Sequence, residues 1–92
     1  MHEQKHVRVK VSGFVQGVNF RYYGRLRARE LGLRGWIRNS PDGSVEVAAA
    51  GSAANVDHFV AWLRHGPPSA MVDRIEVERA AQGEMPDTFQ IR

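Results

Sequence analysis

The chain has 92 residues and a formal net charge of +3, and this length predicts one domain built around one core. Its composition, 42% hydrophobic and 25% charged, is close to that of an ordinary globular protein. The sequence contains no cysteine, which excludes disulfides, thiolate metal sites and cysteine nucleophiles. We therefore expect a single compact, layered domain over residues 1–92.

The N-terminal segment and the apolar runs bear on where the protein resides. Residues 1–6 are polar and lack the apolar core of a signal peptide. No apolar run approaches the length that spans a membrane. We expect a soluble, cytoplasmic monomer, with residues 1–5 as a flexible tail.

The positive charge is concentrated between residues 21 and 38, where six arginines face only Glu30: Arg21, Arg25, Arg27, Arg29, Arg34 and Arg38. A positive field of this kind attracts anions. A solvated basic helix face, a nucleic-acid surface and a site for a small phosphorylated ligand all remain open, because charge alone does not choose among them.

The first third of the chain reads as a strand, a loop and a helix. Residues 7–12 alternate valine with polar residues, the pattern of a strand with one buried face. Residues 13–19 contain two glycines and break the alternation, which indicates a loop. An apolar stripe with a period near 3.6 predicts a helix from Phe20 to Leu31 that stops at Gly32. Gly24 interrupts this helix, and we expect it to permit close helix–sheet contact.

The middle of the chain predicts a hairpin and a second helix. Strands over residues 36–39 and 44–50 are joined by the turn sequence SPDG at residues 40–43. Ser52 is a good N-cap for the helix that follows, which ends before residues 66–68, GPP. The apolar stripe of that helix consists of Val56, Phe59, Val60 and Leu63.

Two further strands complete the predicted order. Residues 74–78 alternate again, and Phe89 and Ile91 indicate a short last strand after a loop at residues 83–86. The order βαββαβ predicts an α+β, ferredoxin-like sandwich, with an antiparallel sheet, two helices on one face and a short extra C-terminal strand. This fold is widely reused and does not by itself indicate a function.

The loop before the first helix has the features of an anion site. The first N–H groups of a helix lack internal partners and carry partial positive charge, and a glycine-containing loop can turn further N–H groups toward one anion. Arg21, at the predicted helix start, adds a permanent charge whose planar fork matches phosphate oxygens. A tight connection whose glycines serve only the backbone is the alternative interpretation.

The same segment carries a family resemblance. Residues 13–21, GFVQGVNFR, resemble the first signature of the acylphosphatase family, and residues 35–46, GWIRNSPDGSVE, resemble the second. Residues 66–70 and 89–92 are similar to later parts of the family pattern, so the resemblance covers nearly the whole chain from residue 7. It implies the ferredoxin-like fold and an enzyme that hydrolyses acyl phosphates to a carboxylate and inorganic phosphate.

The resemblance also implies roles for particular residues. The phosphate-binding arginine of the family falls on Arg21, and its water-positioning asparagine falls on Asn39. Gly24 stands where many relatives carry threonine or serine. The backbone amides of the phosphate loop would be those of Gln16, Gly17, Val18, Asn19 and Phe20. No cofactor and no metal are implied, and the acyl group of the substrate is not defined.

Other residues are given structural interpretations. Asp42 is expected to cap its turn, and Tyr22 and Tyr23 are candidates to line the substrate mouth, with at least one of them packing instead. Ser40 and Ser69 lack a histidine partner at a recognisable spacing, which argues against a serine nucleophile. The histidines show no compact metal-ligand spacing: His2, His6, His58 and His65.

Competing functions remain for the same fold. An RNA-binding domain of the RRM type stacks bases on aromatic residues of its central strands. The predicted strands over residues 7–12 and 44–50 carry no aromatic residue, which argues strongly against specific nucleic-acid binding. A metal-binding module would need paired cysteines, which are absent. The alternative to an enzyme is therefore a non-catalytic ferredoxin-like module that binds an anion, or RNA through its phosphates.

Overall fold

The computed structural model of the protein describes residues 3–81 and 85–92. The order βαββαβ is confirmed, and the short last strand is present. None of the helices in these two ranges is long and apolar enough to span a membrane. The elements are β1 (Gln4–Phe14), α1 (Phe20–Glu30), β2 (Arg34–Asn39), β3 (Val45–Ser52), α2 (Ala53–Leu63), β4 (Met71–Arg79) and β5 (Phe89–Ile91).

The strands form one five-stranded sheet in the order β4-β1-β3-β2-β5. The expected antiparallel pairing is confirmed for β1 to β4, whereas β5 runs parallel to β2. β4 and β5 occupy opposite edges of the sheet. β5 runs in the direction opposite to that of β4, which is the direction of β2, so β5 and β2 are parallel. The sheet is therefore mixed, and β5 closes the edge beside the strand that carries Asn39.

The core lies between the sheet and the two helices. Val7, Val9 and Val11 of β1 are buried on the face that the helices cover, as their alternation predicts. From α2, three members of the predicted stripe are fully buried, Val56, Phe59 and Leu63. Burial of these apolar side chains is the main force that holds the helices on the sheet.

The predicted ends of the helices are confirmed by their hydrogen bonds. After α1, the N–H of Leu33 donates to the carbonyl of Ala28 at 2.9 Å, the closing bond of a C-terminal stop with Gly32 in the left-handed region. At the start of α2, the Oγ of Ser52 accepts from the N–H of Asn55 at 3.3 Å.

The sequence predicts a flexible tail at residues 1–5 and a loop at residues 83–86. Gln4 and Lys5 pair with β3, so the expectation of a flexible tail over residues 1–5 is wrong at these two positions. The alternation of side chains did not show this, because the pairing uses backbone groups and extends beyond the buried valines. Met1 and His2 lie outside the described residues, as do Gly83 and Glu84 of the expected loop at 83–86.

Gly24 sets the distance between α1 and the sheet. It is buried, and a Cβ at this position would lie 2.8 Å from the Cδ1 of Ile37, which is itself fully buried in β2. The expectation that Gly24 permits close helix–sheet contact is thus confirmed. The short distance between α1 and β2 matters to the site, because Arg21 lies in the first turn of α1 and Asn39 is the last residue of β2.

The contact between Gly24 and Ile37 predicts that substitutions at the two positions are coupled. Gly24→Ala gains about 1 kcal/mol of helix propensity and loses about 1 to 3 kcal/mol to overpacking, so it should destabilise the protein. In an Ile37→Val background, which lacks the Cδ1, the same change should stabilise it. Urea unfolding of the wild type, both single variants and the double variant measures this. Additive effects would show that the contact does not limit the approach of α1.

Candidate active site

The loop between β1 and α1 is shaped by its backbone. Gly17 and Asn19 have φ of 75° and 61°, whereas Val18 between them does not have positive φ. When residues with positive and negative φ alternate along a chain, their successive N–H groups turn toward one point, which makes a concavity suited to an anion. Val15 and Val18 anchor the loop, because both are buried and the hydroxyl of Ser69 donates to the carbonyl of Val18 at 3.1 Å.

Arg21 projects from the first turn of α1, next to this loop. That turn contains no acidic residue, so the charge of the guanidinium adds to the partial positive charge of the helix end. The Nη1 of Arg21 donates to the backbone carbonyl of Arg92 at 3.5 Å, so the chain beyond β5 contacts the same side chain.

Asn39 is the last residue of β2, and its side chain is polar and incompletely bonded. Its Oδ1 is buried and has no hydrogen-bond partner among the described residues. Buried oxygens in proteins are nearly always bonded, so an unbonded one calls for an explanation. The Oδ1 of Asn39 is therefore an acceptor that lacks a donor among the described residues.

Arg21 and Asn39 meet in one concavity of about 250 Å³. The predicted pair is therefore brought together, although the two residues belong to different elements. Of the five residues predicted to offer backbone amides, three line the concavity and two, Gln16 and Val18, do not. The lining consists of Val15, Gly17, Asn19, Phe20, Arg21, Tyr22, Asn39 and Ile91.

The side chain of Gln16 has a role that sequence reasoning missed. Its Nε2 donates to the carbonyl of Ser40 and to the carbonyl of Ser44, both at 2.8 Å. These bonds tie the loop before α1 to the β2–β3 turn that follows Asn39. The partners lie 24 and 28 residues further along the chain, so no local pattern could have revealed them.

The turn that Gln16 contacts is held by Asp42. Its Oδ1 accepts from the N–H of Ser44 at 3.0 Å and from the hydroxyl of Ser44 at 2.6 Å, which confirms the predicted capping role. Its Oδ2 lies 2.7 Å from the Nζ of Lys10. The hydrogen bond from Lys10, followed by those from Ser44, holds the pKa of Asp42 well below its ordinary value.

The bonds of Gln16 predict a large effect of a substitution that keeps its shape and removes its donors. Gln16→Met removes two hydrogen bonds to carbonyls that each keep a backbone donor, which should lower the free energy of unfolding by about 1 to 2 kcal/mol. Chemical denaturation measures the loss. Gln90→Met, at an exposed position of β5, serves as the matched control. Equal losses in the two variants would show that the Gln16 bonds contribute nothing specific.

The lowered pKa of Asp42 predicts a pH-dependent contribution to stability. A carboxyl whose pKa is lower in the folded state stabilises the fold above its ordinary pKa of about 4, and this contribution disappears as the pH falls toward the folded value. Asp42→Asn should therefore be less stable than the wild type at pH 7, and the difference should shrink below about pH 4. Urea unfolding from pH 7 to pH 2 tests this, with Asp73→Asn as the control for loss of an exposed charge. A difference that is constant with pH would contradict it.

Tyr22 and Tyr23 face different surroundings. Tyr22 lines the concavity with Arg21 and Asn39, whereas Tyr23 lies in a separate groove beside Trp62 and Pro67. The two rings make an edge contact with centroids 5.1 Å apart. The expectation of a tyrosine at the mouth of the site thus applies to Tyr22 only.

The sheet face away from the helices carries another part of the basic charge. Arg8 and Arg38 each lie 3.4 Å from a carboxylate oxygen of Glu46. The same two guanidiniums lie 4.8 Å from the ring centroid of Trp36, which is only 7% exposed. The covered ring of Trp36 is not presented to a nucleic-acid base, and the nearby arginines are paired.

Comparison with known proteins agrees with this architecture. The family model described as acylphosphatase matches residues 7–91. An acylphosphatase of Methylococcus capsulatus is 48% identical over 89 residues, which cover 96% of this chain and 97% of that protein. One from Rubrobacter xylanophilus is 48% identical over 90 residues, which cover 98% of this chain and 82% of that protein.

A solved structure supports the same assignment. The structure of an acylphosphatase from Coxiella burnetii superposes with a TM-score of 0.91 at 37% identity, over 97% of this chain and 93% of that one. A glycine-containing loop and an arginine at a helix N-terminus are features typical of sites for phosphorylated small molecules. The chain belongs to the acylphosphatase family and is a hydrolase.

Proposed function

We propose that the concavity between α1 and β2 hydrolyses acyl phosphates by in-line attack of a water molecule on the phosphorus atom. One observation carries this proposal. Arg21, at the positive end of a helix, and Asn39, whose Oδ1 is buried without a hydrogen-bond partner among the described residues, line the same concavity. The substrate class follows from membership of the family.

The phosphoryl group would be held by Arg21 and by backbone amides of the loop at residues 16–20, of which Gly17, Asn19 and Phe20 line the concavity. The guanidinium offers parallel donors to two phosphate oxygens, and the left-handed residues Gly17 and Asn19 direct amides toward the same point. Charge on the phosphoryl oxygens develops in the transition state, where donors fixed in advance stabilise it most.

Asn39 would position the attacking water. Its amide can both donate and accept, and its Oδ1 has no hydrogen-bond partner among the described residues. Because this oxygen is buried, the side chain would turn toward the concavity to hold a water there. An amide is too weak a base to remove the proton, so a phosphate oxygen of the substrate takes it as the water oxygen bonds to phosphorus. The bond between phosphorus and the acyl oxygen breaks, and its electron pair leaves on the carboxylate.

The leaving group explains why this short list of residues suffices. A carboxylate is a stable anion, so its departure needs no strong general acid. The barrier then depends on placing the water and on balancing the phosphoryl charge, which positioning and electrostatics can supply. We therefore expect turnover in the presence of a chelator.

Variants of Arg21 and Asn39 should separate the two roles. Arg21→Ala is expected to lose nearly all hydrolysis of benzoyl phosphate and most binding of inorganic phosphate. Asn39→Ala is expected to lose about 100- to 1,000-fold in turnover, the usual effect of removing one preorganised group, and to keep phosphate binding. Initial rates with a chelator present, and phosphate titration by calorimetry, measure both.

Arg25→Ala is the matched control, since Arg25 is on the same helix and does not line the concavity. It should keep both activity and phosphate binding. A fully active Asn39→Ala protein would refute the assignment of the water. A folded wild type without turnover would refute the enzyme mechanism and favour a module that only binds anions.

A further inference from the structure

Strand β4 is an open edge of the sheet. It pairs with β1 on one side, and no other strand of the described residues pairs with it. Most of its residues are exposed, among them the apolar Val77, which is 43% exposed. An edge strand presents a row of backbone N–H and C=O groups that can pair with another chain. β4 therefore offers a surface to a partner strand.

The hydrogen bonds between β1 and β4 show which backbone groups point toward this edge. The N–H of Ala80 donates to the carbonyl of His6 at 3.0 Å, next to the paired residues of the two strands. In an antiparallel pair, positions that bond to the partner alternate with positions that do not. Counted back from Ala80, every second residue of β4 bonds to β1. Ile75 and Val77 lie between these residues and direct their N–H and C=O groups away from β1.

The segment at residues 74–78, RIEVE, is complementary to itself in the antiparallel direction. A two-fold axis through Glu76, perpendicular to the sheet, sets Arg74 of one copy opposite Glu78 of the other. The same axis sets Ile75 of one copy opposite Val77 of the other. Opposite charges and apolar side chains that face each other across strands stabilise a sheet. By symmetry, each of these pairs occurs twice.

Glu76 lies opposite its own copy on this axis, and two cations in each chain offset the repulsion. The Nη2 of Arg74 lies 2.9 Å from the Oε1 of Glu76, and Lys10 is the residue paired with Glu76 on β1. An axis through Ile75 would leave Glu78 without a cation opposite it. Charge complementarity therefore favours the axis through Glu76.

We infer that β4 pairs with β4 of a second copy of this chain in this register, which joins two five-stranded sheets into one continuous sheet. The dimer differs from the monomer expected from the sequence, which does not show the strand that is left at an edge. The paired segment is short, so the dimer is weak and reversible. Arg21 and Asn39 lie on other elements, so the inference is independent of the proposed function.

Sedimentation and amide exchange of the wild type test the dimer and its location. Between about 10 µM and about 1 mM, where small interfaces associate, the average mass should rise toward twice that of one chain. The N–H groups of Ile75 and Val77 should exchange several-fold more slowly at the high concentration, whereas that of Glu76, which faces β1, should not change. A chain that stays monomeric, or a dimer that leaves Ile75 and Val77 unprotected, would overturn the inference.

Reversal of charge tests the register. Arg74→Glu and Glu78→Arg each set like charges opposite each other at two places and should weaken self-association about tenfold. An equimolar mixture of the two variants restores opposite charges at both places and should associate as the wild type does. Arg64→Glu, at an exposed position after α2, is the matched control and should not weaken association. A mixture that stays monomeric would contradict the register.

Val77→Pro gives a second test that does not depend on charge. Proline removes an N–H that points to the open edge and leaves the bonds to β1 intact, which is the position where strands tolerate it. The variant should keep the circular dichroism spectrum of the wild type and lose its self-association. A folded Val77→Pro protein that associates as strongly as the wild type would overturn the inference.

Discussion

The two hydrogen bonds from the Gln16 side chain are the interaction on which the site most depends. They join the loop that shapes the anion-binding concavity to the turn that follows Asn39. Each segment is also held on its own account, the loop by its buried valines and the turn by the Asp42 cap. The amide of Gln16 joins the two segments directly, because it donates to two carbonyls of the turn at once. Attack on phosphorus is sensitive to tenths of an ångström in the distance between the phosphoryl group and the positioned water. The hydrogen bonds of Gln16 therefore bear directly on the reaction.

A second constraint is the packing of α1 against the sheet. α1 lies close to β2 because Gly24 presents no side chain to Ile37. The helix end that carries Arg21 and the strand end that carries Asn39 are therefore positioned by core packing as well as by contacts within the site. Packing of this density responds to a single methyl group, which makes the core a determinant of catalytic geometry as well as of stability.

The basic charge of the segment from residue 21 to 38 is divided by the fold. Arg29 donates to the carbonyl of Phe89 at 3.1 and 3.3 Å and so holds β5 at the sheet edge. Arg38 pairs with Glu46 and covers Trp36 on the far face. Arg21 is the arginine of this segment that lines the concavity. The structure thus gives Arg29 and Arg38 structural contacts and leaves Arg21 as the candidate ligand-binding group of this segment.

The sequence by itself determined the order of elements, the helix caps, the turn at Asp42 and the two signature segments, because each depends on residues close together in the chain. Alternation with a period of two found β1 and β3, and a period near 3.6 found α2. The parallel pairing of β5, the extension of β1 to Gln4 and the bridge from Gln16 were decided by the tertiary structure, since their partners are distant in sequence. The same holds for the separation of Tyr22 from Tyr23. Adjacent residues of a helix point about 100° apart, and only the packed surroundings show which of them faces the site.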